Sequence, residues 1–93
     1  MASIFLYGPY ASLGSMLPPG GEETWVIGPW SWYANAITVT AHPIALSGAD
    51  RAMTVHDVNV RAAPNGDRFV YATVRNVGVD AAYYAVWVGG VKP

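Results

Sequence analysis

The sequence predicts an all-β domain: an antiparallel β-sandwich, immunoglobulin-like or jelly-roll, of about six or seven strands. Three observations carry this. Ten of the twelve valines lie at or beyond residue 55, in short alternating runs that suit a pleated, half-buried surface. Each run is closed by Gly, Pro, Asn or Asp, as at His42-Pro43, Ser47-Gly48, Pro64-Asn65-Gly66 and Gly78. No stretch free of such breakers keeps a helical period, and no internal repeat of propeller or solenoid type is seen.

Ninety-three residues make one domain, residues 1–93, and 53% of them are hydrophobic against 12% charged. That balance excludes a disordered tail. The absence of cysteine excludes a disulfide scaffold. A formal net charge of -1, with arginines 51, 61, 68 and 75 offset by acids, argues against a nucleic-acid partner. No basic start precedes the apolar run Ile4–Tyr7, and no window approaches a membrane span, so neither a secretory signal nor a span is expected. The compartment is left open.

Residues 1–21 carry no charge and are punctuated by Gly and Pro. They read as an irregular arm with a short strand at Ser3–Tyr7, able to add to or swap onto a neighbouring subunit. Thr24–Ile27 reads as a strand ended by a Gly28-Pro29 turn. Further strands are expected near 34–41, 52–62, 68–76 and 82–91.

Pro64-Asn65-Gly66 fits a type I turn followed by a left-handed glycine, which places Ala63 opposite Asp67. Val60 then faces Val70, and Val58 faces Ala72. One face collects Val58, Val60, Ala62, Val70, Ala72 and Val74; the other sets Asn59 against Tyr71 and Arg61 against Phe69. A two-residue turn would put Val70 and Val74 beside Arg61 and Asn59, because a one-residue slip flips a strand. Tyr84, Val86 and Val88 continue the apolar face. Upstream, Met53 and Val55 alternate in the opposite phase from Val58 and Val60, which a β-bulge at His56-Asp57 would reconcile.

Tyr71-Ala-Thr-Val-Arg-Asn-Val-Gly78, followed by Tyr84-Ala-Val-Trp87, resembles the closing strands of bacterial immunoglobulin-like modules related to cell adhesion. The resemblance covers about a quarter of the chain. It implies a sandwich fold and a non-catalytic role, and it transfers no site residue.

Two aromatic groups are candidate sites. Trp25, Trp30, Trp32 and Tyr33, with Asn35 nearby, suit either core packing or a carbohydrate-stacking platform of a small lectin. If residues 82–91 pair with 68–76, then Phe69, Tyr71, Tyr83 and Trp87 share a face with Arg61 and Arg75. That face can be inter-sheet packing, a subunit interface or a ligand surface. His42 and His56, with Asp50 and Asp57, show no metal-ligand spacing, and no nucleophile motif accompanies any serine. No metal, cofactor or catalytic residue is expected. The expected function is a non-enzymatic binding or assembly module that self-associates, the alternative being a lectin; a glycan or protein ligand is the possible further partner.

Overall fold

The computed structural model describes residues 3–11, 16–30, 35–44 and 51–92. It contains six strands: β1 (Ser3–Ala11), β2 (Glu22–Trp30), β3 (Asn35–Pro43), β4 (Met53–Ala62), β5 (Arg68–Asn76) and β6 (Tyr84–Lys92). They form two antiparallel three-stranded sheets, ordered β1-β6-β3 and β2-β5-β4. The all-β, two-sheet expectation holds. Among the described residues no helix is long and apolar enough to cross a membrane.

In an immunoglobulin constant-type sandwich the second, fifth and fourth strands form one sheet, and the third and sixth lie in the other beside the last strand. Strands β2 to β6 follow that order. β1 takes the place of the last strand, antiparallel to β6. β6 therefore pairs with β1 and β3, not with β5 as the extended hairpin pattern suggested.

The 60s hairpin has the expected register. Asn59, Val60 and Arg61 face Tyr71, Val70 and Phe69. Ala63 N–H donates to the Asp67 carbonyl (2.7 Å), and Gly66 takes φ 92°. The expected bulge lies between His56 and Asn59, where Asp57 adopts φ 54°. Val58 falls inside this bulge and does not face Ala72. Val70, Ala72 and Val74 are buried, whereas Val58, Val60 and Ala62 are exposed. β4 is an edge strand, and beyond its bulge it runs outside the shared core.

β1 and β2 are both longer than expected because each continues through Gly-Pro. Gly8 (φ 138°) and Gly28 (φ 144°) form irregularities after which pairing resumes. Both Gly-Pro peptide bonds are cis. A Cβ on Gly8 would lie 2.8 Å from the Val86 carbonyl oxygen, and one on Gly28 2.7 Å from that of Arg68. Only glycine lets the edge strand come this close to its central neighbour.

The two sheets repeat one another. Tyr7 faces Val88 and Tyr10 faces Val86; twenty residues on, Ile27 faces Val70 and Trp30 faces Arg68. On the opposite side, pairing skips from Asn35 to Thr38 in β3 and from His56 to Asn59 in β4. The same pair of irregularities thus flanks each central strand. The sequence trace of this repeat is Tyr7-Gly-Pro-Tyr10 against Ile27-Gly-Pro-Trp30, too short to register as a repeat.

Both sheets contribute to one core: Trp25, Ile27, Val70, Ala72 and Val74 from one, Val39, Tyr84, Val86 and Val88 from the other, with Leu17 between. Burying these side chains is the main favourable term in folding. Leu17 ties the uncharged arm down, since it is buried and bridges to Ala82. The molecule measures 45 × 26 × 19 Å with a radius of gyration of 14.4 Å. A compact chain of this length would have about 12 Å. The elongation leaves much apolar surface outside the core.

Candidate interaction surfaces

Strand alternation decides which aromatic residues face water. In β2, Trp25 and Ile27 point inward, while Thr24 and Val26 point out and are exposed. Trp25 is 8% exposed, and its indole N–H donates to the Tyr84 hydroxyl (2.8 Å). The two rings meet edge-on at 6.1 Å. Burial pushes the Tyr84 phenol up to about 12; donation from Trp25 opposes this, and the nearby Glu23 carboxylate adds to it. Trp25 is thus a core residue. Trp30 closes β2 opposite Arg68, whereas Asn35 opens β3 opposite Val91, in the other sheet. Trp32 and Tyr33 lie outside the described residues.

The aromatic-arginine group is divided between the sheets. Arg61, Phe69, Tyr71 and Arg75 share the outer face of β2-β5-β4. Trp87 lies on the outer face of the other sheet, against Gly8, and Tyr83 precedes β6. The cause is the turn after β5. Asn76 is 1% exposed; its Nδ2 donates to the carbonyls of Leu17 (2.9 Å) and Asp80 (2.8 Å), and its Oδ1 accepts from Gly78 N–H (2.9 Å). This asparagine holds the connection that carries the chain to the second sheet. The Asn-Val-Gly motif is therefore structural.

The two arginines left on this face have partners beside them. The Arg61 guanidinium stacks 4.1 Å from the Tyr71 ring centroid, and its Nε donates to Asn59 Oδ1 (3.0 Å). Arg75 Nη1 lies 3.6 Å from Glu22 Oε1. That carboxylate also lies 3.4 Å from His56 Nε2, and His56 Nδ1 lies 2.8 Å from Asp57 Oδ2. His56, Arg75 and Thr54 line a shallow open groove with Gly20 and Gly78. His42 Nε2 sits 3.3 Å from Thr40 Oγ1. Among the described residues no group of three or more His, Asp or Glu could hold a metal ion.

The surface that sequence reasoning did not single out by residue is β1 itself. Ile4 is 87% and Leu6 64% exposed on the outer face, while Tyr7, on the inner face, is 42% exposed, its ring 5.2 Å from that of Phe5 and tilted 35° to it. The signal for it was the uncharged, apolar composition of residues 1–21. Comparison of the chain with protein-family models, with curated proteins and with solved structures finds no match.

Proposed function

We propose that this chain is a non-enzymatic assembly module that associates with copies of itself. The observation that carries the reading is the set of large apolar side chains left in water, with Ile4 and Leu6 of β1 the most exposed group within one strand. Ile4 and Leu6 alternate onto one face of one strand, and exposed apolar side chains grouped in this way mark interaction sites. One further feature supports it. Trp25, one of the tryptophans that could stack on sugar, belongs to the core and is not at the surface. Light scattering after size exclusion, over a range of concentrations, tests the reading. A mass above that of one chain is expected; one-chain mass at every concentration would overturn it.

A further inference from the structure

We infer that the partner strand is β1 of a second copy, joined antiparallel along this edge strand so that two β1-β6-β3 sheets become one. The inference rests on the self-association reading and names the surface.

Sheet edges present unpaired N–H and C=O groups, and proteins ordinarily guard them with charge, bulges or cover. Among the described residues, three of the four edges are guarded. β2 begins with Glu22 and Glu23. β4 carries His56, Asp57 and Arg61, and it bulges at the left-handed Asp57. β3 runs close beside β4. β1 alone, Ser3–Ala11, holds no Asp, Glu, Lys, Arg or His. Its pairing with β6 is regular from Ser3 to Tyr7 before the Gly8-Pro9 irregularity. It is a nine-residue edge with a flat, uncharged first half.

The chemistry also selects the occupant. A strand laid along Ser3–Tyr7 sets its own side chains beside Ile4 and Leu6, where an apolar residue makes a favourable cross-strand pair and a charge finds no partner. Among the described residues every other strand carries a charged or titratable histidine side chain, so of these strands β1 matches itself. Two antiparallel copies related by a two-fold near Phe5 set Ile4 opposite Leu6 of the second copy, apolar against apolar. Such an isologous contact closes as a dimer and does not propagate into a fibre. Ile27, the β2 counterpart of Tyr7, is buried in the core, whereas Tyr7 is 42% exposed, so the core covers β1 less completely than β2.

The test uses the full chain. Ile4→Lys/Leu6→Lys changes two side chains that already face water, so the variant should melt close to wild type at concentrations low enough for both to be monomers. The dimer should weaken by about a hundredfold or more, because two lysines per copy meet across the seam. Val77→Lys/Val79→Lys, which charges an exposed apolar pair elsewhere, should leave it unchanged. Since the chain has no cysteine, a mixture of Ile4→Cys and Leu6→Cys chains reports register: mixed disulfide dimers should form faster than either chain forms alone. A wild-type dimer that survives Ile4→Lys/Leu6→Lys unchanged, or cysteines that show no mixed preference, would overturn the β1 seam and leave self-association standing. A monomeric wild type would overturn both.

Discussion

Asn76→Ala tests the account of how the chain changes sheets. The side chain makes three hydrogen bonds at 2.8–2.9 Å from a site that is 1% exposed. At roughly 1 kcal/mol each, their loss amounts to about 3 kcal/mol. Two of the partners keep a second bond: Ala82 N–H still donates to the Leu17 carbonyl, and Gly78 N–H still reaches the Ala52 carbonyl. The expected cost is therefore about 2–3 kcal/mol, a large fraction of the ~5–14 kcal/mol typical of a chain this long. In urea, with a slope of about 1 kcal/mol/M, the midpoint should fall by roughly 2 M at unchanged slope. Amide exchange should accelerate most at Gly20 and Ala82, whose N–H groups bond within the same junction. Asn76→Asp should be worse than alanine, because it loses both donations and turns a buried carboxylate toward two carbonyl oxygens. A cost below about 0.5 kcal/mol for Asn76→Ala would refute the reasoning, since the junction would then be held by the backbone alone.

Tyr84→Phe keeps the ring but removes the acceptor of the buried Trp25 N–H, so a loss of about 1–3 kcal/mol is expected in denaturant titration. The phenol, at about 12, lies above its ordinary value near 10, so the folded state holds the neutral form. The associated stability is intact below pH 10 and should fall by about 1.4 kcal/mol per pH unit toward pH 12. Tyr84→Phe should lack that component, and an equal decline in the variant would remove the explanation. Gly28→Ala combines φ 144° with a Cβ 2.7 Å from the Arg68 carbonyl oxygen, whereas Gly66→Ala meets open space at φ 92°. The first should cost clearly more than the ~1–2 kcal/mol expected of a Cβ in left-handed backbone, and equal melting temperatures would count against the close approach.

Much of the fold was legible because alternation and turn chemistry agree where they are strong. Val70, Ala72 and Val74 fixed the buried face of β5, and Pro64-Asn65-Gly66 fixed its register with β4. Alternation reports which side of a strand is buried but not which sheet the strand joins. Tyr84, Val86 and Val88 thus read correctly as core and were set in the wrong sheet. β2 was ambiguous for another reason: Glu22 and Glu23 place one charge in each phase, so nothing local marks Trp25 as inward. Gly-Pro read as punctuation because a turn and an in-strand irregularity make the same demand on glycine, and only the returning pairs with Val86 and Arg68 separate them.

The repeat of the two sheets sharpens the functional argument. The same irregularities at matching pairs give β1 and β2 closely similar backbone settings, so their different fates must come from side chains. β2 opens with two glutamates and sets Thr24 and the smaller Val26, both exposed, at the positions equivalent to Ile4 and Leu6. β1 has no charge to guard its edge and leaves Ile4 and Leu6 in water. A strand that needed only to close its own sheet would gain from a lysine or glutamate at positions 4 or 6, which would guard the edge at little cost to the core. Both positions hold large apolar residues instead. Guarding the equivalent edge with Glu22 and Glu23 while leaving this one bare is the arrangement expected if β1 is the strand that meets another chain.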